Sequence, residues 1–144
     1  ETIMVERDLR LLELTGGRLH VAHVSTAGAL AAIRGAKARG LRVTCDTAPH
    51  YLALNELEVE GYRTFAKVSP PLRAEADRQA VVAGLRDGTI DVIASDHCPQ
   101  DQDSKRLPFA QARLLHLVQD RQPGARRHCA SLPCRVRPAE TASL

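Results

Sequence analysis

Short apolar runs that end in a turn and hand over to a helical pattern recur through the first two thirds of this chain. That alternation narrows the folds open to it more than any other feature. The runs cover residues 19–24, 41–47, 64–68 and 90–95. Around them, Ile3, Met4, Leu9 and Leu12 recur at near-helical spacing before Gly16-Gly17. Ala29, Leu30, Ile33 and Ala36 form one helix face, with Ser25-Thr26 as its start and Gly40 as its close. Asn55 can cap a short helix through Glu58, and Ala80, Val81 and Leu85 face inward from a helix over 74–86 that ends at Gly88. Strands alternating with helices through short turns predict an α/β fold with a parallel sheet. Four strands are half of what a closed (β/α)8 TIM-type barrel needs.

Composition sets the limits. A chain of 144 residues is about one domain, and with 3% aromatics and no Trp its core must be aliphatic. The net charge of +3 is unevenly placed: residues 1–112 hold 14 basic and 15 acidic side chains, while residues 113–144 hold six Arg, no Lys and two acids. The basic excess belongs to the tail, so it gives no reason to expect nucleic-acid binding by the body. Cys45, Cys98, Cys129 and Cys134 suggest cytosolic thiols rather than a disulfide framework. The spacing of His128, Cys129 and Cys134 fits no common zinc pattern. The sequence shows no signal peptide and no run of about 18 apolar residues, so a cytoplasmic location away from membranes is expected.

Three chemistry-bearing residues stand where these runs end: His23, His50 and Asp96. Two imidazoles and a carboxylate suit a zinc-type ion. Placed at the carboxyl ends of different parallel strands, they can converge above the sheet. Each also has a plainer reading. Either His is equally at home as a partly buried, hydrogen-bonded side chain, and Asp96 is either a helix N-cap or a catalytic carboxylate. His20 and His23 should point to opposite faces of their strand. Met4, Tyr51 and Tyr62 read as packing residues, and residues 101–106 as a solvated loop.

Four motifs occur in a fixed order. They are His23-Val24-Ser25-Thr26-Ala27, then Val43-Thr44-Cys45-Asp46-Thr47-Ala48-Pro49-His50-Tyr51-Leu52, then Lys67-Val68-Ser69-Pro70-Pro71-Leu72-Arg73, and finally Asp87 through Pro99 with Ala94-Ser95-Asp96-His97-Cys98-Pro99 at its end. Together they resemble the dihydroorotases of the amidohydrolase superfamily, whose near relatives are hydantoinases and allantoinases. Lys105-Arg106-Leu107-Pro108-Phe109-Ala110 resembles the bacterial dihydroorotase branch.

The resemblance covers residues 1–112 and implies specific roles. His23 and His50 would bind the second metal of a binuclear zinc centre. Asp96 would bind the first and act as general base and acid. Ser69 and Gln100 would take the places of a substrate-binding Asn and His. The implied reaction interconverts N-carbamoyl-L-aspartate and L-dihydroorotate. The family's early His-x-His pair and its bridging Lys or Asp have no counterpart in this sequence. The resemblance therefore implies the C-terminal part of a barrel, about strands five to eight, and a chain inactive alone. Residues 113–144 are expected to be an aberrant or disordered Arg-rich tail. Half a barrel would also expose strand edges and an apolar inner face, and so favour self-association. Two other readings are a non-catalytic, dihydroorotase-like association partner and a hydantoinase- or allantoinase-type amidohydrolase.

Overall fold

The computed structural model describes residues 1–97, 100–114 and 134–135. Helix α1 (Thr2–Thr15) ends at Gly16, whose φ of 63° is the left-handed conformation that glycine adopts without steric cost. Strand β1 (Leu19–Val21) leads to helix α2 (Ala27–Ala38), where the Thr26 side chain accepts the Ala29 N–H as the N-cap. Strand β2 (Val43–Thr47) runs into the short helix α3 (Pro49–Ala53), with proline in its first turn. Two 3₁₀ segments follow, Glu56–Tyr62 and Thr64–Ala66, the first capped by the Asn55 side chain on Leu57 N–H. Helix α4 (Glu75–Arg86), strand β3 (Val92–Ile93), the one-turn helix α5 (Gln102–Lys105) and strand β4 (Cys134–Arg135) complete the described chain.

The sheet order is β1-β2-β3-β4. β1 lies parallel to β2 with Leu19 opposite Val43 and Val21 opposite Cys45, and β2 lies parallel to β3 with Asp46 opposite Val92. β4 pairs antiparallel to β3 through Cys134 and Arg135. The rest of the expected tail, residues 115–133 and 136–144, lies outside the described residues. So do Cys98, Cys129, His128 and all but the backbone of Cys134.

Three parallel strands form where four were expected. Residues 64–68 do not join the sheet, because β2 pairs directly with β3 and leaves no place between them. The segment is instead held by two lysines. Thr64 Oγ1 donates to Lys105 O at 2.6 Å, Lys105 Nζ donates to Thr64 O at 3.0 Å, and Lys67 Nζ reaches the Phe109 and Ala112 carbonyls at 2.7 Å. Those side-chain bonds fold Thr64–Ala66 into a turn and fasten the 105–113 loop over it. Residues 101–106 are accordingly not a plain solvated loop, since Lys105 is only 1% exposed.

Helix α2 is the centre of the core, in contact with α1, α4 and β2. Ala29, Leu30, Ile33 and Ala36 are buried, the face that the sequence spacing picks out. Asp91 ties this helix to the sheet: it accepts Lys37 Nζ on both oxygens at 2.7–2.8 Å and the Cys45 N–H at 2.8 Å. Along β2 the side chains alternate. Val43, Cys45 and Thr47 are buried, while Thr44 is exposed and Asp46 shares its parity. The face opposite the helices is therefore polar across β1 and β2, lined by His20, Thr44 and Asp46, and not the apolar inner face expected of a half barrel. Large apolar side chains are exposed on α1, at Ile3, Met4, Leu11 and Leu14, and also at Leu57, Phe65, Leu107 and Leu114. Met4 is exposed, Tyr62 is exposed but packs edge-on against the Phe109 ring, and Tyr51 is buried.

Burial, and secondarily the Lys67 ammonium, pull the Lys105 pKa from 10.5 down to about 8. The unfolded chain keeps this proton to higher pH than the folded one, so it binds more protons between those values and stability rises with pH there. Urea denaturation of the wild type relative to Lys105→Met should show the wild type gaining stability from pH 8 to 10.5. A flat difference across that window would contradict the burial argument.

Candidate functional site

The carboxyl ends of the three parallel strands lie level. The ladders continue one step past the strand ends, Val24 N–H to Asp46 O at 2.8 Å on one side and Ala94 N–H to Thr47 O at 2.9 Å on the other. His23 and Asp96 emerge there, each with the backbone turned into the left-handed region, φ 57° and 49°. This conformation costs a non-glycine residue about 1–2 kcal/mol, although His and Asp adopt it more readily than most. At His23 it is clamped: the backbone N–H donates to Asp46 Oδ1 at 2.6 Å.

That turn of the backbone changes where the two histidines of β1 and its end can reach. Strand alternation alone would send them to opposite faces. With His23 out of the strand conformation, both imidazoles meet Asp46, His20 Nε2 lying 2.9 Å from Oδ2 and His23 Nδ1 3.1 Å from Oδ1. His20 Nδ1 also contacts Thr44 Oγ1 at 2.8 Å. On the other edge of the His23 ring, Nε2 lies 3.7 Å from Asp96 Oδ1. Asp96 is buried at 6% exposure, and no helix begins behind it, so its role is not that of an N-cap.

One imidazole thus stands between two carboxylates. Asp46 raises the His23 pKa against the opposing effect of burial, and the Asp96 charge adds to the rise. Burial works to raise the Asp46 carboxyl, but the His23 and His20 rings and the His23 N–H outweigh it and hold the group down to about 2. The arrangement stabilises positive charge at His23 Nε2 and Asp96 Oδ1, whether carried by a proton or by a metal cation. It therefore fits one side of a metal centre. It supplies two donors, and a zinc site takes three or four protein ligands. Among the described residues, no three His, Cys, Asp or Glu side chains form a group able to hold a metal ion.

His50 is the third expected ligand. It is buried in the first turn of α3, its ring 4.1 Å from that of Tyr51. Tyr51 is buried too, and its hydroxyl donates to Pro70 O at 2.7 Å, fixing the loop that begins at Ser69. Burial pushes the Tyr51 hydroxyl up, with the Asp96 and Glu1 charges adding and Arg73 opposing. Ser69 itself is exposed, and Gln100 is half-buried.

Behind His23 lies a second polar cluster. The Glu1 carboxylate accepts Ser25 N–H, Thr26 N–H and both hydroxyls, while Arg73 Nε donates to Ser25 Oγ at 3.1 Å and pairs with Glu1 at 3.4 Å. Sequence reasoning missed Asp46, Glu1 and Arg73. Asp46 had a signal: a carboxylate inside an apolar run must find a partner when buried. Arg73 stood at the end of a quoted motif, but nothing local announced its meeting with Glu1, 72 positions away.

Over 109 residues the chain is 55% identical to the dihydroorotase of Pelobacter propionicus (strain DSM 2379 / NBRC 103807 / OttBd1), a match of 76% of this chain and 26% of that protein. A dihydroorotase of Syntrophotalea carbinolica is 56% identical with the same coverage. Among solved structures, a D-hydantoinase from a Bacillus sp. AR9 superposes with a TM-score of 0.73 at 30% identity, over 79% of this chain and 27% of that one. A dihydropyrimidinase from Brevibacillus agri NCHU1002 gives 0.70 at 28%, over 77% and 26%. The chain spans about a quarter of the length of the curated relatives it matches. No family model matches it.

The Tyr51 hydroxyl is the side-chain tie on Pro70 O. Tyr51→Phe should cost about 1 kcal/mol of unfolding free energy, read from urea midpoints. No change in stability would mean that the loop is held by other contacts.

Proposed function

We propose that this chain, a homologue of dihydroorotases over about a quarter of their length, carries one side of the active site of a metal-dependent cyclic amidohydrolase. The observation that carries the reading is the convergence of His23 Nε2 and Asp96 Oδ1, 3.7 Å apart at the ends of two strands flanking β2. The substrate class is the cyclic amide L-dihydroorotate and its ring-opened form, N-carbamoyl-L-aspartate. Identities of 55–56% to dihydroorotases, against 28–30% to the hydantoinase and dihydropyrimidinase structures, favour that substrate over the hydantoins.

In this reading His23 and Asp96 are the metal-holding residues, with zinc the fitting ion for an imidazole and a carboxylate. Bound there, zinc lowers the pKa of water and polarises the amide carbonyl. Asp96 takes the proton released by the attacking water at its carboxylate and returns it to the leaving ring nitrogen. Tyr51 holds the Ser69–Pro70 loop, and the Ser69 hydroxyl and Gln100 amide would contact the substrate. The donors still required would come from a segment outside this sequence, so the 144-residue chain is inactive by itself.

A dihydroorotate ring-opening assay tests the reading. The zinc-supplemented chain should show no turnover. A chimera in which this chain replaces its matched 109 residues in the Pelobacter propionicus dihydroorotase should be active. Asp96→Ala in that chimera should lower kcat by at least about 10²–10⁴-fold with the fold intact. Robust turnover by the isolated chain, or an Asp96→Ala chimera at full rate, would refute the assignment.

Self-association belongs to the same proposal. Among the described residues β1 has one sheet neighbour, and the outer face of α1 exposes Ile3, Met4, Leu11 and Leu14. Sedimentation velocity should show mass rising with concentration, and Leu11→Glu/Leu14→Glu should suppress the rise. A monomer at all concentrations would count against it.

A further inference from the structure

Asp46 touches both His20 and His23, and the proposed reaction supplies no purpose for it. It is 7% exposed, on the polar face of β2. Oδ1 faces His23 from two directions, accepting the backbone N–H at 2.6 Å and lying 3.1 Å from Nδ1. Oδ2 is 2.9 Å from His20 Nε2, and His20 is in turn held at Nδ1 by Thr44 Oγ1 at 2.8 Å. Thr44, His20, Asp46 and His23 therefore form a chain of contacts that starts at an exposed ring and ends at the imidazole beside Asp96. No helix residue takes part, so the chain serves the rim of the sheet and not the core.

We propose that Asp46, braced by His20, is the positioning residue that fixes the His23 imidazole with its Nδ1 edge inward and Nε2 directed at Asp96. The distances decide the direction. Both ring nitrogens lie near a carboxylate, but Asp46 is closer, 3.1 Å against 3.7 Å; the Nδ1 contact is an ion-pair approach outside hydrogen-bond geometry, and the directed bond from Asp46 is the one to the backbone N–H of the same residue. The ring proton of the neutral imidazole then belongs on Nδ1, and the Nε2 lone pair faces Asp96. A carboxylate that close to the rear nitrogen favours the proton there electrostatically, before any ligand arrives. The grip on the backbone N–H also stabilises the left-handed conformation at φ 57°, without which the ring would leave the face on which Asp46 lies. His20 keeps the carboxylate from rotating away by occupying its second oxygen.

This inference uses the proposed metal site only to say what the orientation is for, and the orientation itself is measurable without metal. The experiment is long-range ¹H–¹⁵N NMR correlation of the histidine rings in the metal-free 144-residue chain, at a pH where the imidazoles are neutral. The wild type should show His23 with a protonated Nδ1 and a bare Nε2. Asp46→Ala should lose that preference and move His23 to the Nε2–H form. Asp46→Asn, with its oxygen toward His23, should restore it. His20→Ala should reduce the preference while leaving the backbone spectrum unchanged. A wild-type His23 protonated at Nε2 overturns the proposal whether or not the variants fold, and so does an Asp46→Ala chain that keeps Nδ1–H. Zinc titration of the same samples is read separately: no zinc affinity with the expected tautomer sinks the metal reading and leaves the positioning role standing.

Discussion

Everything at the site depends on β2 being paired on both sides. Because Val43–Thr47 lies parallel to β1 through Val43 and Cys45 and to β3 through Asp46 and Thr47, all three strands end at one rim. The same pairing fixes side-chain parity. Val43, Cys45 and Thr47 go into the helical layer, and Thr44 and Asp46 go to the other side. The Cys45 thiol, pushed up to about 12 chiefly by burial, stays a protonated small hydrophobe with its hydrogen toward Thr89 O. A one-residue slip of β2 would drive Asp46 into the aliphatic core and Cys45 onto the polar face. The register that protects the core is thus also the register that builds the site.

Two residues at that rim hold strained backbones, and the strain is local to function. His23 and Asp96 are two of the three described non-glycine residues with positive φ, the third being the exposed Tyr62. Neither conformation is needed to turn the chain, since glycine could do that at lower cost. What glycine could not do is present an imidazole and a carboxylate to each other at 3.7 Å. An observed departure of this kind, paired with a buried charge, marks a position held for its side chain rather than for its turn.

The sequence made the layer order legible wherever the signal was local. The α2 face, the Thr26 cap, the Asn55 cap and the glycine at the end of α1 all depend on residues within a turn of one another. The segment over 64–68 misled because its apolar content could not reveal that its sheet position was already taken, nor that Lys67 and Lys105 would bind the carbonyls around it. His23 and Asp96 were legible as strand-end residues. Their relation to Asp46 was not, because it hinges on one backbone dihedral at His23 that reverses the parity expected from strand alternation. His50 was placed with them by motif resemblance, and in the structure it stands in the first turn of α3 with its ring against that of Tyr51.

A segment spanning a quarter of its relatives' length can still hold a core because parallel β-α units bury most of their surface against immediate neighbours. α2 sits between α1 and α4 and covers β2, and every residue of that cluster lies between Val5 and Ile90. The rim is different. Its two converging side chains come from the ends of different strands, His23 beyond β1 and Asp96 beyond β3, on either side of β2. His23 and Asp96 remain aligned here because Asp46, His20 and the ladder steps at Val24 and Ala94 lie wholly within the retained strands. Completing such a centre requires the addition of donors around a pre-set pair, with no rearrangement of the pair itself.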